Sequence, residues 1–90
     1  MSHKHAQVLR SLFHDPPPHN LQWREIESLL KHVGAEFDNL PGARLRVSLG
    51  KAEAILHRPH HGNEIDRQGV RQLRDFLAHA GITPSTLDSD

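Results

Sequence analysis

Apolar residues recur at helical spacing in two stretches near the start of the chain. Residues 3 to 14 carry apolar side chains with the spacing of a short amphipathic helix. The prolines at positions 16 to 18 end that helix, because proline supplies no backbone donor. A second helix is predicted after Asn20, a candidate N-cap, and Gly34 closes it. Its apolar stripe, in which Trp23 is interpreted as a core residue, consists of Trp23, Ile26, Leu29, Leu30 and Val33.

Between residues 43 and 57 the apolar pattern changes to period two, which predicts strands with one buried face. Gly50-Lys51 fits a two-residue hairpin turn between two such strands. If Leu49 pairs with Ala52, apolar residues face apolar residues along the whole hairpin, which supports that register. The same register puts Arg44 directly opposite His57 on the outer face. Residues 35 to 40 predict a third, weaker strand ahead of the turn at Pro41-Gly42.

The last third of the chain predicts one strong amphipathic helix. Asp66 is the predicted N-cap, and Gly81 ends the helix so that Ile82 folds back onto the last turn. A separate basic stripe runs along the helix at Arg67, Arg71 and Arg74. The predicted order is therefore α-α-β-β-β-α, an α+β fold.

Composition limits the classes of function. Ninety residues make one small domain, and Lys+Arg and Asp+Glu both number 11, so the formal net charge is zero. This balance argues against a broad basic surface for long nucleic acid, but it allows local basic patches. The chain has no cysteine and hence no thiolate metal site. Neither a membrane span nor a signal-peptide apolar region is recognisable, and a cytoplasmic protein is predicted.

The segment LHRPHHGNEI raises the main chemical question, because His57, His60 and His61 lie within five positions. A metal site is one reading, but three histidines without a paired-cysteine or HExxH motif are a weak signal. A polar loop between strand and helix is another reading, and no metal is predicted. A third reading is metal-free acid–base catalysis, for which imidazole is the usual proton carrier.

Cations beside these histidines are chemically suited to a phosphate-containing ligand. Arg44, Arg46 and Arg58 are of the types that bind a phosphate during RNA cleavage through the 2′-hydroxyl, while the helix stripe suits phosphates or an acidic partner. The alternative is a solvated sheet face with incidental histidines, and a stripe that is only the wet side of its helix.

From Trp23 to Ile82 the chain resembles the HicA family of bacterial toxin–antitoxin ribonucleases. The similar segments are REIESLLKHVGAEF, the glycine-led strand at Gly42, RPHHGNEI, and the closing RQGVRQLRDFLAHAGI. The resemblance implies a double-stranded-RNA-binding-domain-like α-β-β-β-α fold over residues 22–83. Residues 1–21 add an N-terminal helix and proline-rich connector, which either extends the core or covers a partner surface, and residues 84–90 form a frayed polar tail. The resemblance also implies mRNA as substrate, a HicB-like antitoxin as partner, and no metal or small-molecule cofactor.

The chain departs from the family where Arg44 occupies the place of the histidine in a Gly-Ser-His motif. Arginine is always protonated and has no acceptor, so it cannot act as a general base. The function expected is therefore an RNA-binding toxin component, either an active metal-independent mRNA endoribonuclease or a catalytically inactive module that binds RNA or a protein. In the active case His57 is the base or acid, Arg44 holds the phosphate, and His60 or His61 completes the proton transfer. The expected RNA-binding residues are Arg44, Arg46, Arg58, Arg67, Arg71 and Arg74.

Overall fold

The computed structural model describes residues 3–16, 21–59 and 63–84. Its elements follow the predicted order, which confirms the α+β class. None of the helices in these ranges is long and apolar enough to cross a membrane. The elements are α1 His3–Phe13, α2 Trp23–His32, β1 Glu36–Leu40, β2 Arg44–Leu49, β3 Ala52–His57 and α3 Arg67–His79.

The three strands form an antiparallel sheet in the order β1-β2-β3. The register of β2 and β3 is the predicted one at every pair. Because side chains alternate between the two faces of a strand, this register puts Leu45, Val47 and Leu56 on one face, where all three are buried. The opposite face carries mainly polar residues, together with Leu40 and Ile55, of which Ile55 is 38% exposed. The helices therefore cover one face of the sheet and leave the other open to solvent.

The N-terminal helix belongs to the same hydrophobic core as the rest of the fold. Val8, Leu9 and Leu12 of α1 are buried in a cluster that includes residues of α2, α3 and the sheet. The helix packs against both α2 and α3. Complete burial of a leucine contributes about 1.5–3 kcal/mol. Of the two roles considered for this segment, the structure shows that α1 extends the core, while the boundary at residues 21 and 22 stays a prediction.

The start of α2 differs from the prediction. The N-cap is Gln22, whose side chain makes no capping hydrogen bond, so the prediction of Asn20 as N-cap was wrong. Asn20 itself lies outside the described residues. Gln22 forms an isolated bridge with Glu64, and the Ile65 amide donates to the Leu21 carbonyl at 2.9 Å. This pairing keeps the chain extended through Gln22, so the helix begins only after it.

Both ends of α3 are as predicted. The Asp66 carboxylate accepts a hydrogen bond from the Gly69 amide at 2.7 Å, which caps the first turn. At the other end Gly81 has φ +81°, and the Ile82 amide donates to the Leu77 carbonyl at 2.8 Å. This is the predicted reversal onto the last helical turn. The cap fixes where α3 begins relative to the end of β3. Of the predicted polar tail, residues 85–90 lie outside the described residues.

Candidate functional site

Arg44 and His57 lie together at one end of the sheet. They are direct partners in the β2–β3 ladder, and both are exposed on the open face. The Arg58 amide donates to the Ala43 carbonyl at 3.0 Å. The adjoining Arg44–His57 pair is therefore of the non-hydrogen-bonded type, in which side chains approach most closely. Their Cβ atoms are expected to be about 4.5–5.5 Å apart, so the guanidinium and the imidazole share one patch of surface.

The Arg44 guanidinium is oriented by the turn that precedes β2. Its Nε donates to the Pro41 carbonyl at 2.9 Å. The turn itself is tight, since Gly42 and Ala43 both have positive φ, at +79° and +59°. The two Nη groups make no hydrogen bond to any residue in the described ranges. One edge of the guanidinium is thus fixed, and its terminal donors remain available for an anion.

Arg46, the next residue of β2 on the same face, is largely neutralised. Its Nη1 lies 3.4 Å from the Asp38 carboxylate, and its Nε lies 3.6 Å from the Glu53 carboxylate. The side chain is 41% exposed, so each ion pair contributes at most about 1 kcal/mol to stability. The pairs still place two carboxylates beside the cation. Arg46 therefore offers less net positive charge to a phosphate than Arg44 does.

Arg58 lies at the same end of the sheet but at the rim of its other face. Its Nη2 donates to the Asn39 side-chain oxygen at 2.6 Å. Asn39 pairs with Leu45, whose side chain is buried beneath the helices. Because paired residues point to the same side of a sheet, the Arg58 guanidinium lies towards the helix-covered face. Arg44 and Arg58 thus flank the end of the sheet from opposite sides.

A hollow of about 480 Å³ lies between the end of β3 and the start of α3. Residues of both the strand and the helix line it; the charged and polar ones are His57, Arg58, Glu64, Asp66, Gln68 and Gln72. A larger hollow of about 590 Å³ lies between β3 and the C-terminal half of α3, but neither Arg44 nor His57 lines it. The smaller hollow is the better candidate for a ligand-binding site, because His57 and several polar residues line it.

The three arginines of the predicted basic stripe on α3 differ in exposure in the structure. Arg67 and Arg71 are exposed and line a further hollow together with Gln68 and Gln72. The two glutamines also line the hollow beside His57, so the two depressions adjoin. Arg74 is half-buried and lines neither of them. The structure therefore brings two of the three stripe arginines to the side of the site.

Glu64, Gln68 and Gln72 line the smaller hollow but were not among the residues predicted from the sequence. The four-residue spacing of the glutamines places them on one side of a helix, and this signal is visible in the sequence. What the spacing does not show is that this side of α3 faces the end of β3. Glu64 carries no sequence signal of its own.

His60 and His61 lie outside the described residues. Their predicted part in proton transfer therefore stays a prediction. Within the ranges that are described, no group of three His, Asp or Glu residues is arranged to hold a metal ion.

Comparison with protein families places the chain in a known group of sequences. The family described as the HicA toxin of bacterial toxin–antitoxin systems matches residues 23–82, which is 60 of the 90 residues. The match begins with α2, ends just after α3, and includes Arg44 and His57. Comparisons with curated proteins and with solved structures gave no match.

Proposed function

The chain belongs to the HicA toxin family of bacterial toxin–antitoxin systems, and we propose that it binds mRNA at the Arg44–His57 end of the sheet and cleaves it without a metal ion. Family membership makes it the toxin component of such a system, with an antitoxin as its partner. That the antitoxin is HicB-like and that the substrate is mRNA are parts of the proposal.

The observation that carries the proposal is the pairing of an anchored guanidinium with an exposed imidazole. The Arg44 Nε–Pro41 hydrogen bond orients the guanidinium. Its Nη groups, which have no partner among the described residues, match the oxygens of a phosphate. His57 lies opposite on β3, within reach of the sugar hydroxyl next to that phosphate. Together they supply the phosphate-binding cation and one proton carrier that RNA cleavage needs.

In the proposed reaction the imidazole of His57 removes the proton from the 2′-hydroxyl of the RNA. The 2′-oxygen then forms a bond to the phosphorus while the bond from phosphorus to the 5′-oxygen breaks. A protonated His60 or His61 gives its proton to the departing 5′-oxygen. The products are a 2′,3′-cyclic phosphate and a 5′-hydroxyl, and no metal or cofactor takes part. Arg44 stabilises the negative charge that builds up on the phosphate oxygens.

The remaining arginines of the proposed RNA-binding set differ in how far they are available. Arg67 and Arg71 are exposed beside the site, while Arg58 lies at its rim and is partly engaged by Asn39. Arg46 and Arg74 are the weaker members, since one is ion-paired and the other half-buried. With zero formal net charge, RNA binding relies on these few local contacts.

A second candidate function is a catalytically inactive module that binds RNA or a protein. The observation that favours it is Arg44 itself, which stands in Gly42-Ala43-Arg44 where the family has the histidine of Gly-Ser-His. An arginine cannot replace that histidine as a base. Under this alternative the site holds a phosphate but does not cleave the chain.

Expression in a bacterial host tests the proposal. The wild-type chain should arrest growth, and co-expression of a HicB-like protein encoded beside it should relieve the arrest. His57→Ala should abolish the arrest, whereas His79→Ala, at the end of α3, should not. An inert wild-type chain that still binds RNA would favour the module. An inert chain without RNA binding would contradict the proposed function and leave only a module that binds a protein.

A further inference from the structure

The hollow between the end of β3 and the start of α3 has the chemistry of a nucleobase subsite. We propose that it binds a guanine base of the RNA, and that Glu64 is the residue that selects this base. This inference rests on the proposed function, because the base belongs to the strand whose phosphate lies at Arg44.

The charges in the hollow exclude a phosphate. Glu64 and Asp66 both line it, against the single cation Arg58 among the described lining residues. Arg58 is itself engaged by Asn39. A phosphate would be repelled by the two carboxylates, whereas a base with N–H donors on its edge would be attracted. The exposed cations Arg67 and Arg71, which lie next to the hollow, can instead bind the phosphates of the RNA.

Glu64 is fixed in place while its carboxylate stays available. Its backbone pairs with Gln22 in an isolated bridge. The residues on either side are also held, since the Asn63 carbonyl accepts from the amide of Trp23 at 2.6 Å and the Ile65 amide donates at 2.9 Å. The Glu64 side chain is exposed and makes no hydrogen bond or ion pair within the part of the chain that the structure describes. Asp66, by contrast, is committed to capping α3.

Gln68 and Gln72 form the wall of the hollow on the side of α3. Gln72 donates to the Ile55 carbonyl at 3.5 Å, a long and therefore weak hydrogen bond. Gln68 makes no hydrogen bond to any described residue and is exposed. A side-chain amide both donates and accepts, so it can bond to a base edge next to the carboxylate. The two glutamines also separate the hollow from the stripe arginines.

Guanine fits this arrangement better than the other bases. Its Watson–Crick edge has two adjacent donors, N1–H and the 2-amino group, which match the two oxygens of one carboxylate. Adenine and cytosine present one amino donor beside a ring acceptor. Uracil presents one donor between two carbonyl oxygens, which a carboxylate repels. Bases of single-stranded RNA are commonly recognised on this edge.

The test uses a short oligouridine RNA and the same RNA with one central guanosine, with affinities measured by fluorescence anisotropy on the full chain. The wild type should bind the guanosine-containing RNA roughly tenfold more tightly, as expected for one well-matched base contact. Glu64→Gln should remove this preference, so that the two RNAs bind with equal affinity. Glu36→Gln, the same substitution on β1, should keep the preference. Addition of guanosine monophosphate should shift the side-chain amide signals of Gln68 and Gln72 in NMR spectra.

The outcomes separate the base subsite from the function on which it rests. Equal binding of the two RNAs, or a preference that survives in Glu64→Gln, would overturn the guanine subsite while leaving RNA binding at Arg44 intact. Failure of the wild type to bind either RNA would overturn the proposed function, and the subsite with it.

Discussion

Arg44 and His57 face each other as a non-hydrogen-bonded pair across β2 and β3, at the end of the sheet from which the chain runs towards α3. The resemblance to the family implies that Arg44 replaces a motif histidine, and the imidazole of His57 lies on the neighbouring strand. We therefore propose that Arg44 on β2 binds the phosphate and that His57 on β3 transfers the proton.

Loss of the Arg44 guanidinium should weaken RNA binding. Arg44→Ala removes charge-assisted hydrogen bonds to a phosphate at an exposed site, and the dissociation constant should rise roughly tenfold. The slope of log K against log salt should also flatten by about 0.7, the value for one phosphate contact on single-stranded RNA. Arg24→Ala, on an exposed part of α2, serves as control. Equal affinities of Arg44→Ala and wild type would remove Arg44 from the RNA site.

Relief of backbone strain next to the site should stabilise the fold. Ala43 has φ +59°, a conformation that is unfavourable for any residue with a Cβ atom. Ala43→Gly should therefore raise the free energy of unfolding by about 0.5–1 kcal/mol, after the greater unfolded-state entropy of glycine is included. The same substitution at Ala78, an exposed position of α3, should lower it by about 1 kcal/mol. Urea unfolding measures both, and a loss of stability in Ala43→Gly would show that the turn is not strained.

The N-terminal helix should contribute strongly to stability. Leu12 is fully buried in the core cluster, so Leu12→Ala should lower the free energy of unfolding by about 2–5 kcal/mol. Gln7→Ala, on the exposed side of the same helix, should change it by no more than about 0.5 kcal/mol. If Leu12→Ala has as little effect as Gln7→Ala, α1 does not pack on the core in solution.

A histidine contact between α1 and α2 should make stability depend on pH. His5 Nε2 lies 2.8 Å from the Ser28 hydroxyl, and its ring centroid is 4.5 Å from that of His32. Partial burial lowers the pKa of His5 below 6.5, and the nearby charges of His32, Lys4 and the N-terminus lower it further. The unfolded chain therefore binds a proton at this residue more readily than the folded chain does, and stability falls as the pH drops through about 6.5.

Urea unfolding at about pH 7.5 and about pH 5.5 measures this effect, since the two values bracket the ordinary histidine pKa. His5→Gln should reduce the loss of stability on acidification. An unaltered loss in His5→Gln would place the pH dependence elsewhere in the chain.

The helices and the β2–β3 register could be predicted because their signals are local. A period-two pattern with a two-residue turn at Gly50-Lys51 permits one register with an apolar inner face, and that register alone placed Arg44 opposite His57. The N-cap of α2 could not be predicted in this way. It depends on the bridge between Gln22 and Glu64, which are far apart in the sequence.

The residues that surround Arg44 and His57 were harder to predict from the sequence. The sequence predicts Arg46 as a cation available to a phosphate. In the structure, the pairing of β1 with β2 places Asp38 beside it. The hollow beside His57 depends on how the segment around Glu64 packs between β3 and α3. Such contacts between distant segments leave no periodic trace in the sequence.

The most direct measurement is cleavage of a labelled mRNA fragment by the purified chain in the presence of EDTA. The wild type should cleave the RNA, since the proposed reaction requires no metal. His57→Ala should cleave about 10² to 10⁴ times more slowly, the usual contribution of one general acid or base, and His79→Ala should cleave at the wild-type rate. Undiminished cleavage by His57→Ala would contradict the assignment of proton transfer to β3, and a wild type that binds RNA without cleaving it would show that only the binding module remains.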